Sequence, residues 1–201
     1  MKKKMFVVLM VVSLSAVAQQ SITIGPAVVV VYDDVVVADY SYQREAYVSG
    51  EDINLFVQAS GLNLTYQWSD DTGPIDGATD ATLVLSPSDL EPGTYTYSVE
   101  VSSDCGGPEV VEVIVNIYDD IFGYIDPTNL ELCVAGEGTL TAMVDGGKAP
   151  YAYQWIHDVK LVDGATSATL VLSGVTLGDA GLYYCKVDDT PLENIDYMDI
   201  P

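Results

Sequence analysis

Residues 76–86 read Asp-Gly-Ala-Thr-Asp-Ala-Thr-Leu-Val-Leu-Ser, and residues 163–173 repeat this stretch with one substitution. The two copies begin 87 residues apart, and the tripeptide Tyr-Gln-Trp precedes each of them at the same spacing, at 66–68 and at 153–155. Self-similarity at a fixed spacing is typical of a chain that folds as copies of one structural unit. The sequence therefore predicts two domains of the same fold.

Short stretches in which apolar and polar residues alternate run through both copies. Ile53, Leu55 and Val57 share one parity in the first copy, and residues 95–101 show the same pattern. A period of two is typical of a strand with one buried face. Turns rich in glycine and proline separate these stretches, and no segment keeps a helical period. We therefore predict an all-β protein of two β-sandwich domains in tandem, with residues 195–200 as the last strand of the second.

Composition shifts and the repeat spacing divide the chain into five segments. They are a signal peptide at 1–18, a Val-rich strand segment at 19–38, domain 1 at 39–118, a linker at 119–124, and domain 2 at 125–201. The linker is short and lacks a tract of glycine and serine, so we expect limited freedom between the domains.

The N-terminus has the three parts of a secretory signal. Three lysines at 2–4 precede an apolar run at 5–12, and Ala16-Val17-Ala18 forms a small-residue cleavage site. The apolar run is short for a membrane span, although a retained N-terminal anchor is the alternative. We predict a secreted, cell-surface or periplasmic protein without a membrane span after cleavage.

The chain is strongly acidic. It carries 30 acidic against seven basic residues, and three of those seven lie in the predicted signal peptide. Such a negative field repels nucleic acid and anionic membranes, so neither is an expected partner. The apolar content of 49% argues against disorder, which usually combines high charge with low hydrophobicity.

The Val-rich segment has no evident partner strand. It combines Ile22 and Ile24 with the valine runs 28–31 and 35–37, around an acidic break at 33–34. Residues branched at Cβ favour strands, and an unpaired apolar strand is a sticky edge. Two interpretations remain open: pairing within domain 1, or self-association with another chain through residues 21–37.

The segment Asp179-Ala180-Gly181-Leu182-Tyr183-Tyr184-Cys185 resembles the D-x-G-x-Y-x-C signature of immunoglobulin-like (Ig-like) domains. In that fold a corner tyrosine precedes the cysteine of strand F by two residues, which fits Tyr183 and Cys185, and Trp155 fits the buried tryptophan of strand C. Trp68 and Tyr95 take the same places in domain 1.

With its repeats, the chain resembles the tandem Ig-like domains of bacterial exported and surface proteins. This resemblance implies a non-enzymatic module for adhesion, spacing or assembly through protein interactions. The alternative that it implies is a carbohydrate- or ligand-binding accessory module of a larger exported protein.

The cysteines depart from the Ig pattern. The usual strand-B cysteine falls near Ala142, and in domain 1 at Val57, so neither domain can form the usual bridge. Domain 2 contains Cys133 and Cys185 whereas domain 1 lacks both counterparts, which suggests a disulfide between them. Cys105 is then a free or intermolecular thiol, and a bridge from Cys105 to Cys133 is the rival pairing.

Two further kinds of site are candidates. Asp119 and Asp120 at the domain join, with Asp104 and Glu109 flanking a nearby loop, could offer oxygen ligands to calcium, and no other cofactor is expected. Exposed tyrosines could stack on sugar rings, and the best surface candidates are Tyr184, Tyr32, Tyr40 and Tyr42. The sole histidine, His157, is expected at a hairpin surface and lacks a catalytic partner in the sequence.

Overall fold

The computed structural model describes residues 10–12, 15–16, 22–23, 27–31 and 34–196. This part of the chain is built from strands, and its helices are two short 3-10 turns at Pro87–Asp89 and Leu177–Asp179. The predicted all-β class is confirmed. None of the described helices is long and apolar enough to cross a membrane.

The N-terminal strands form two small ladders apart from the domains. They are β1 (Met10–Val12), β2 (Ser15–Ala16), β3 (Ile22–Thr23) and β4 (Ala27–Val29). β1 pairs with β4, and β2 pairs with β3, both antiparallel. Most of the predicted signal peptide lies outside the described residues, so cleavage after residue 18 stays a prediction.

Domain 1 is a complete sandwich of two sheets that share one strand. Its strands are β5 (Val36–Tyr47), β6 (Ile53–Ser60), β7 (Thr65–Asp70), β8 (Gly73–Pro74), β9 (Thr82–Leu85), β10 (Gly93–Ser103) and β11 (Gly106–Tyr118). One sheet has the order β8-β7-β10-β11-β5, and the other has the order β5-β6-β9. The first part of β5 pairs with β6, and its second part runs parallel to β11.

The end of the Val-rich segment belongs to domain 1. Val35 is only 4% exposed and lies in the core, and β5 begins at Val36, upstream of the start that the sequence suggested at residue 39. For residues 35–37 the structure therefore supports pairing within the chain. The stretch 27–31 lies upstream of this sandwich strand.

The core of domain 1 lies between its two sheets around Trp68. Twelve apolar side chains are buried there, contributed by both sheets: Val35, Ala46, Ile53, Leu55, Val57, Trp68, Tyr97, Val99, Val101, Val113, Val115 and Ile117. Three of them come from β11, so the last strand of the domain supplies a quarter of the buried set.

Domain 2 repeats most of this arrangement. Its strands are β12 (Phe122–Asp126), β13 (Glu137–Asp145), β14 (Ala152–His157), β15 (Lys160–Leu161), β16 (Thr169–Ser173) and β17 (Tyr183–Asp188). One sheet has the order β12-β13-β16, and the facing sheet has the order β15-β14-β17. Its buried cluster is small and consists of Leu140, Ala142, Trp155 and Leu170.

The last strand does not join domain 2, which corrects the expectation for residues 195–200. The described part of this segment, β18 (Ile195–Asp196), pairs antiparallel with β5 of domain 1 at Gln43 and Ser41. The chain leaves domain 2 after β17, and the Glu193 amide donates to Glu45 Oε2 at 2.6 Å. This hydrogen bond and the β18 ladder hold the C-terminal segment on domain 1.

Candidate interaction site

The repeated tripeptide makes the same contacts in both domains. Trp68 Nε1 donates to the Asp80 carbonyl and Trp155 Nε1 to the Ser167 carbonyl, each at 2.9 Å. Both indoles are fully buried, as predicted. The glutamine before each tryptophan donates to two carbonyls, which for Gln67 are those of Trp68 and Ile75. In each domain these hydrogen bonds tie the strand that contains the tripeptide, β7 or β14, to the segment that follows it.

The predicted corner tyrosines also occupy equivalent positions. The Tyr95 hydroxyl donates to the Glu91 carbonyl at 2.8 Å, and the Tyr183 hydroxyl donates to the Asp179 carbonyl at 2.9 Å. Each bond ties the start of a strand to the turn before it, four residues upstream. Both positions match the corner of the Ig-like fold.

We expect Tyr183→Phe and Tyr95→Phe each to destabilise their own domain by about 1 kcal/mol, because each removes one hydrogen bond to a carbonyl. For a domain of this size the loss corresponds to a fall in Tm of about 4–8 °C, measured by calorimetry. Tyr184→Phe is the matched control, since this neighbouring ring is 49% exposed. Equal Tm values for Tyr183→Phe and Tyr184→Phe would contradict the corner assignment.

The edge of β17 in domain 2 lacks the neighbouring strand that its counterpart β10 has in domain 1. In domain 1, β11 pairs antiparallel with β10 and parallel with β5, and so joins the two. Within the described residues of domain 2, β17 pairs with β14 alone, and no strand takes the place of β11. The sequence contained a signal for this difference: a β-branched run at 110–117 follows β10, whereas residues 186–196 carry Pro191 and four acids.

In domain 1 the other neighbour of β11 is the stretch 43–47 of β5, and its counterpart in domain 2 also has no described strand beside it. The turns Gly50 N to Tyr47 O and Gly136 N to Cys133 O are equivalent, both at 2.8 Å, so residues 129–133 correspond to 43–47. Residues 43–47 pair with β11, whereas 129–133 belong to no described strand. Two backbone edges of domain 2 therefore face one gap.

A cavity of about 860 Å³ fills this gap. It is lined by β12, by the following loop, by the inner face of β13 and by β17, and we call it the domain 2 groove. Large apolar side chains at its rim are between 49% and 84% exposed: Phe122, Tyr124, Val134, Leu177, Leu182 and Tyr184. Exposed apolar side chains gathered around one cavity are typical of interaction sites.

The burial of β17 shows the same incompleteness. Tyr97, Val99 and Val101 of β10 are nearly or fully buried. The equivalent residues of β17, Cys185 and Val187, are only partly buried. Because the two strands share their sequence pattern, the difference arises from the strand that covers β10 and that β17 lacks among the described residues.

A second candidate feature is the interdomain junction around Glu45. This carboxylate is 6% exposed although it lies at the end of β5. Its Oε2 atom lies 2.5 Å from Lys148 Nζ and accepts a hydrogen bond from the Glu193 amide at 2.6 Å. Its Oε1 atom accepts from the Tyr118 hydroxyl at 3.1 Å and from Gln43 Nε2 at 3.2 Å. The pair thus connects domain 1, domain 2 and the C-terminal segment.

Further polar contacts surround this pair. Asp189 accepts from the Tyr47 hydroxyl and from the Lys148 amide. Ser49 Oγ donates to Asp120 Oδ1 at 2.6 Å, and the Gly147 amide donates to the Asp119 carbonyl at 2.8 Å. These bonds agree with the limited interdomain freedom that the short linker predicted.

The pKa values of three groups at the junction are shifted in the directions that favour charged carboxylates and a neutral tyrosine. Burial by itself raises the pKa of Glu45, but the hydrogen bonds from Lys148 and the Glu193 amide outweigh it and leave the pKa lowered. The hydrogen bonds from Tyr47 and the Lys148 amide lower the pKa of Asp189. Burial, with Asp189 beside it, raises the pKa of Tyr47 to about 12.

Acid should therefore open the junction. A carboxyl with a lowered pKa binds protons more weakly in the docked form, so its contribution is complete at neutral pH and is lost as the pH falls below about 4. We expect small-angle scattering to show a rise in the maximum dimension between pH 6 and pH 3. Glu45→Gln leaves Lys148 without its carboxylate, so it should enlarge the maximum dimension already at pH 6 and leave a smaller rise on acidification; a transition identical to that of the unmodified chain would contradict the role of Glu45.

The three cysteines are unpaired in the structure. Cys185 faces the small core of domain 2, and Cys133 lies in the exposed turn before β13. Their domain 1 counterparts, Tyr97 and Tyr47, pair with positions five residues apart on β11, which is about 17 Å along the strand. A disulfide requires Cα atoms within about 7 Å. The bridge between Cys133 and Cys185 stays a prediction that the repeat register opposes.

The remaining thiol, Cys105, lies exposed in the turn between β10 and β11. Its amide donates to Ser103 Oγ at 3.2 Å. The position suits a free or intermolecular thiol, and that role stays a prediction, as does its rival pairing with Cys133.

The candidate calcium ligands are not brought together. Asp104 precedes β11 and Asp119 follows it, so a strand of 13 residues, about 40 Å long, separates them. Asp104 accepts from Asn63 Nδ2, and Asp120 accepts from Ser49. Across the described ranges, no group of three or more His, Cys, Asp or Glu side chains could hold a metal ion.

His157 and the candidate sugar-stacking tyrosines lie in separate places. The His157 ring stacks on Tyr183 with centroids 4.4 Å apart, and its Nε2 atom is enclosed without a hydrogen-bond partner. Tyr42 is exposed on β5 of domain 1 and Tyr40 is half-buried there, whereas Tyr184 is exposed on β17 of domain 2. Tyr32 lies outside the described residues.

Two sandwiches of this topology, each with a buried tryptophan and a corner tyrosine, define the chain as a pair of Ig-like domains in tandem. Solved structures of tandem Ig domains are similar to it. The N-terminal four Ig domains of Dscam1 isoform 6.9 match with a TM-score of 0.52 and 17% identity, over 82% of this chain and 44% of theirs.

Two other structures show the same likeness at lower identity. Sidekick-1 immunoglobulin domains 1–5 match with a TM-score of 0.61 and 12% identity, over 82% of this chain and 38% of theirs. An E-to-A mutated variant of titin domains I67–I69 matches with a TM-score of 0.61 and 12% identity, over 82% of this chain and 64% of that structure. The chain thus spans less than two thirds of these structures, and the likeness concerns the fold. Neither a family model nor a curated protein matches the chain.

Proposed function

We propose that this chain is a non-catalytic interaction module, secreted or at the cell surface, that acts in adhesion, spacing or assembly through protein contacts. The observation that carries the proposal is the domain 2 groove, whose exposed apolar rim lies where domain 1 has the strand β11. Exposed patches of this kind are usually covered by a partner. The resemblance to exported bacterial Ig-like repeats supports the location, including the periplasm as an alternative.

The junction between the domains supports a role in which the two domains keep a fixed relative orientation. Glu45 and Lys148 connect the two domains through a nearly buried ion pair, with side chains 3% and 15% exposed. A pair of this kind limits the angles that two domains can adopt when both partners keep their hydrogen bonds. A stiff two-domain unit suits a spacer or an assembly subunit.

The proposal includes no catalytic role. His157, the only histidine, stacks on Tyr183 with its Nε2 atom enclosed, a placement that suits packing and offers no route for proton transfer to a substrate.

A bead assay tests the proposal. Beads carrying residues 19–201 should bind to beads that carry the same chain, or to a surface coated with extracellular proteins, and the apolar dye ANS should compete for the groove. Replacing the exposed rim residues Leu177 and Leu182 with serine should reduce binding several-fold. A chain that binds no protein surface at micromolar concentration would overturn the proposal.

Carbohydrate binding is the second candidate function. Phe122, Tyr124 and Tyr184 are among the residues that line the groove and have exposed rings, and exposed aromatic faces can stack on sugar rings. A glycan array decides between the two: selective binding that is lost in Tyr124→Ala favours the carbohydrate, and binding to protein surfaces alone favours the first proposal.

A further inference from the structure

We propose that the domain 2 groove is filled by residues 27–31 of a second copy of this chain, which add to β17 as the missing strand. The inference rests on the proposed assembly function and specifies its partner and its contact. Strand addition to an open edge is a general mode of protein recognition, in which backbone hydrogen bonds give affinity and side-chain pockets give register.

The acceptor side has the shape of a sandwich without one strand. Both neighbours of β11 in domain 1 have counterparts in domain 2, namely β17 and residues 129–133, and neither counterpart has a described strand on the side that faces the groove. An added strand could therefore form hydrogen bonds on two sides. Its side chains would enter the cavity of about 860 Å³.

Domain 1 shows which side chains such a strand must supply. Val113, Val115 and Ile117 of β11 alternate along the strand and are at most 2% exposed. Residues 27–31 read Ala-Val-Val-Val-Val, so valine is available on either parity of an added strand. Residues branched at Cβ also favour the strand conformation.

The donor side would lose its described partner if the predicted signal peptide is cleaved. Among the described residues, β4 pairs only with β1, and β1 lies within the predicted signal peptide. Cleavage after residue 18 would leave residues 27–31 without a strand neighbour. Val30 and Val31 are already 45% and 60% exposed. The mature chain would then carry an unpaired apolar strand and an open acceptor.

The chain is too short for residues 27–31 to reach the domain 2 groove of the same copy. Tyr47, at the end of β5, lies at the junction and bonds to Asp189, whereas Val36 lies at the opposite end of this strand, about 36 Å away. Val31 precedes Val35 by four residues, which reach about 14 Å when extended. Residues 27–31 therefore cannot span domain 1 to reach the groove beyond it.

The described end of the C-terminal segment, residues 195–196, also lies on domain 1 and outside the groove. β18 pairs with Gln43 and then with Ser41, so the chain runs along domain 1 away from domain 2 at this point. A head-to-tail contact between copies is therefore the arrangement that brings residues 27–31 to the groove. Because its two surfaces differ, it is heterologous and produces open chains of copies.

Cysteine cross-linking tests the register. Cys185 lines the groove, and a residue directly opposite it on an antiparallel strand would have its Cα about 4.5–5.5 Å away, within disulfide range. With Cys105 and Cys133 replaced by serine, each valine at 28–31 is changed to cysteine in turn in the chain 19–201. Mild oxidation should give a ladder of multimers for alternate positions only, and Cys185→Ser should remove the ladder.

Sedimentation of the chain 19–201 tests the association itself. We expect masses that rise with concentration in multiples of the protomer mass, and a monomer at all concentrations when residues 27–31 are deleted. Val84→Ser, at an exposed apolar position of domain 1, is the control and should associate normally. Circular dichroism should show that the deletion variant is folded, because β5 and the core residue Val35 remain in place.

Four results would overturn the inference: a monomeric chain at 100 µM, association that survives the deletion, cross-links of equal yield at all four positions, or association without a cross-link to Cys185. A chain that stays monomeric but still binds protein-coated beads would remove the strand-donor mechanism and leave the proposed function standing. A chain that associates through residues 27–31 but without cross-links to Cys185 would place the acceptor elsewhere and overturn the groove as its site.

Discussion

Trp155→Ala should unfold domain 2 and leave domain 1 folded. The indole is fully buried, and only Leu140, Ala142 and Leu170 are buried with it. Truncating a buried tryptophan to alanine costs about 3–5 kcal/mol, and this variant also leaves the Ser167 carbonyl without its donor. Native domains have total stabilities of about 5–15 kcal/mol. A domain with so small a core is expected at the low end of that range.

Tryptophan fluorescence gives a domain-specific measurement, since the chain has two tryptophans, one in each domain. In Trp155→Ala the remaining signal comes from Trp68, so its denaturation curve reports domain 1 alone. We expect that curve to keep its cooperative shape, while calorimetry loses the domain 2 transition and the amides of β14 and β17 exchange freely.

Trp68→Ala is the reciprocal control. It removes the same contacts, but eleven other buried side chains remain around the site, so domain 1 should stay folded with a lowered Tm. A Trp155→Ala variant that keeps both calorimetric transitions would contradict the view that domain 2 depends on this single side chain.

The sequence predicted the two sandwiches because their defining contacts repeat with the residues that make them. Each indole donates to a carbonyl twelve positions later, and each corner tyrosine bonds to a carbonyl four positions earlier. Local spacing of this kind is preserved when a unit is copied. Equal spacing in the two copies is therefore enough to infer equal contacts.

The partner of a strand is harder to infer than its existence. Alternation at 195–200 indicated a strand, and β18 begins at Ile195, but it pairs with β5 of domain 1. A period of two defines which side chains share a face and carries no information about the neighbouring strand. The open edge of domain 2 was missed for the same reason, since it is defined by a pairing that one copy lacks among the described residues.

The junction gave no local signal at all. Glu45 lies between Arg44 and Ala46 in an alternating strand and looks like one of 30 acidic residues on a solvated surface. It is buried because Lys148, 103 positions away, and the C-terminal segment close over it. Only the relative placement of the two domains identifies this residue, and strand patterns within either domain cannot supply that placement.

Lys148→Met should release the C-terminal segment from domain 1. The substitution removes the cation from a carboxylate whose side chain is 3% exposed. Breaking one partner of a buried pair costs about 3–5 kcal/mol, because the remaining charge is left uncompensated. Undocking relieves this cost by exposing Glu45 to water. The released state should therefore become much more populated than in the unmodified chain.

Amide hydrogen exchange of Glu193 measures this release, because its amide donates to Glu45 Oε2 in the docked form. Since each 1.4 kcal/mol is a factor of ten, protection should fall by about 100-fold or more. Lys160→Met is the matched control: Lys160 is also in domain 2 but exposed, and its removal should leave the protection of Glu193 unchanged.

A double variant separates the charge effect from the loss of contacts. In Glu45→Gln with Lys148→Met no charge is left uncompensated, so docking should recover a large part of the protection that Lys148→Met removes. Protection in the double variant equal to that of Lys148→Met alone would contradict the electrostatic account. The junction would then depend on hydrogen bonds from Tyr118, Gln43 and the Glu193 amide, and the lysine would contribute mainly through packing of its alkyl chain.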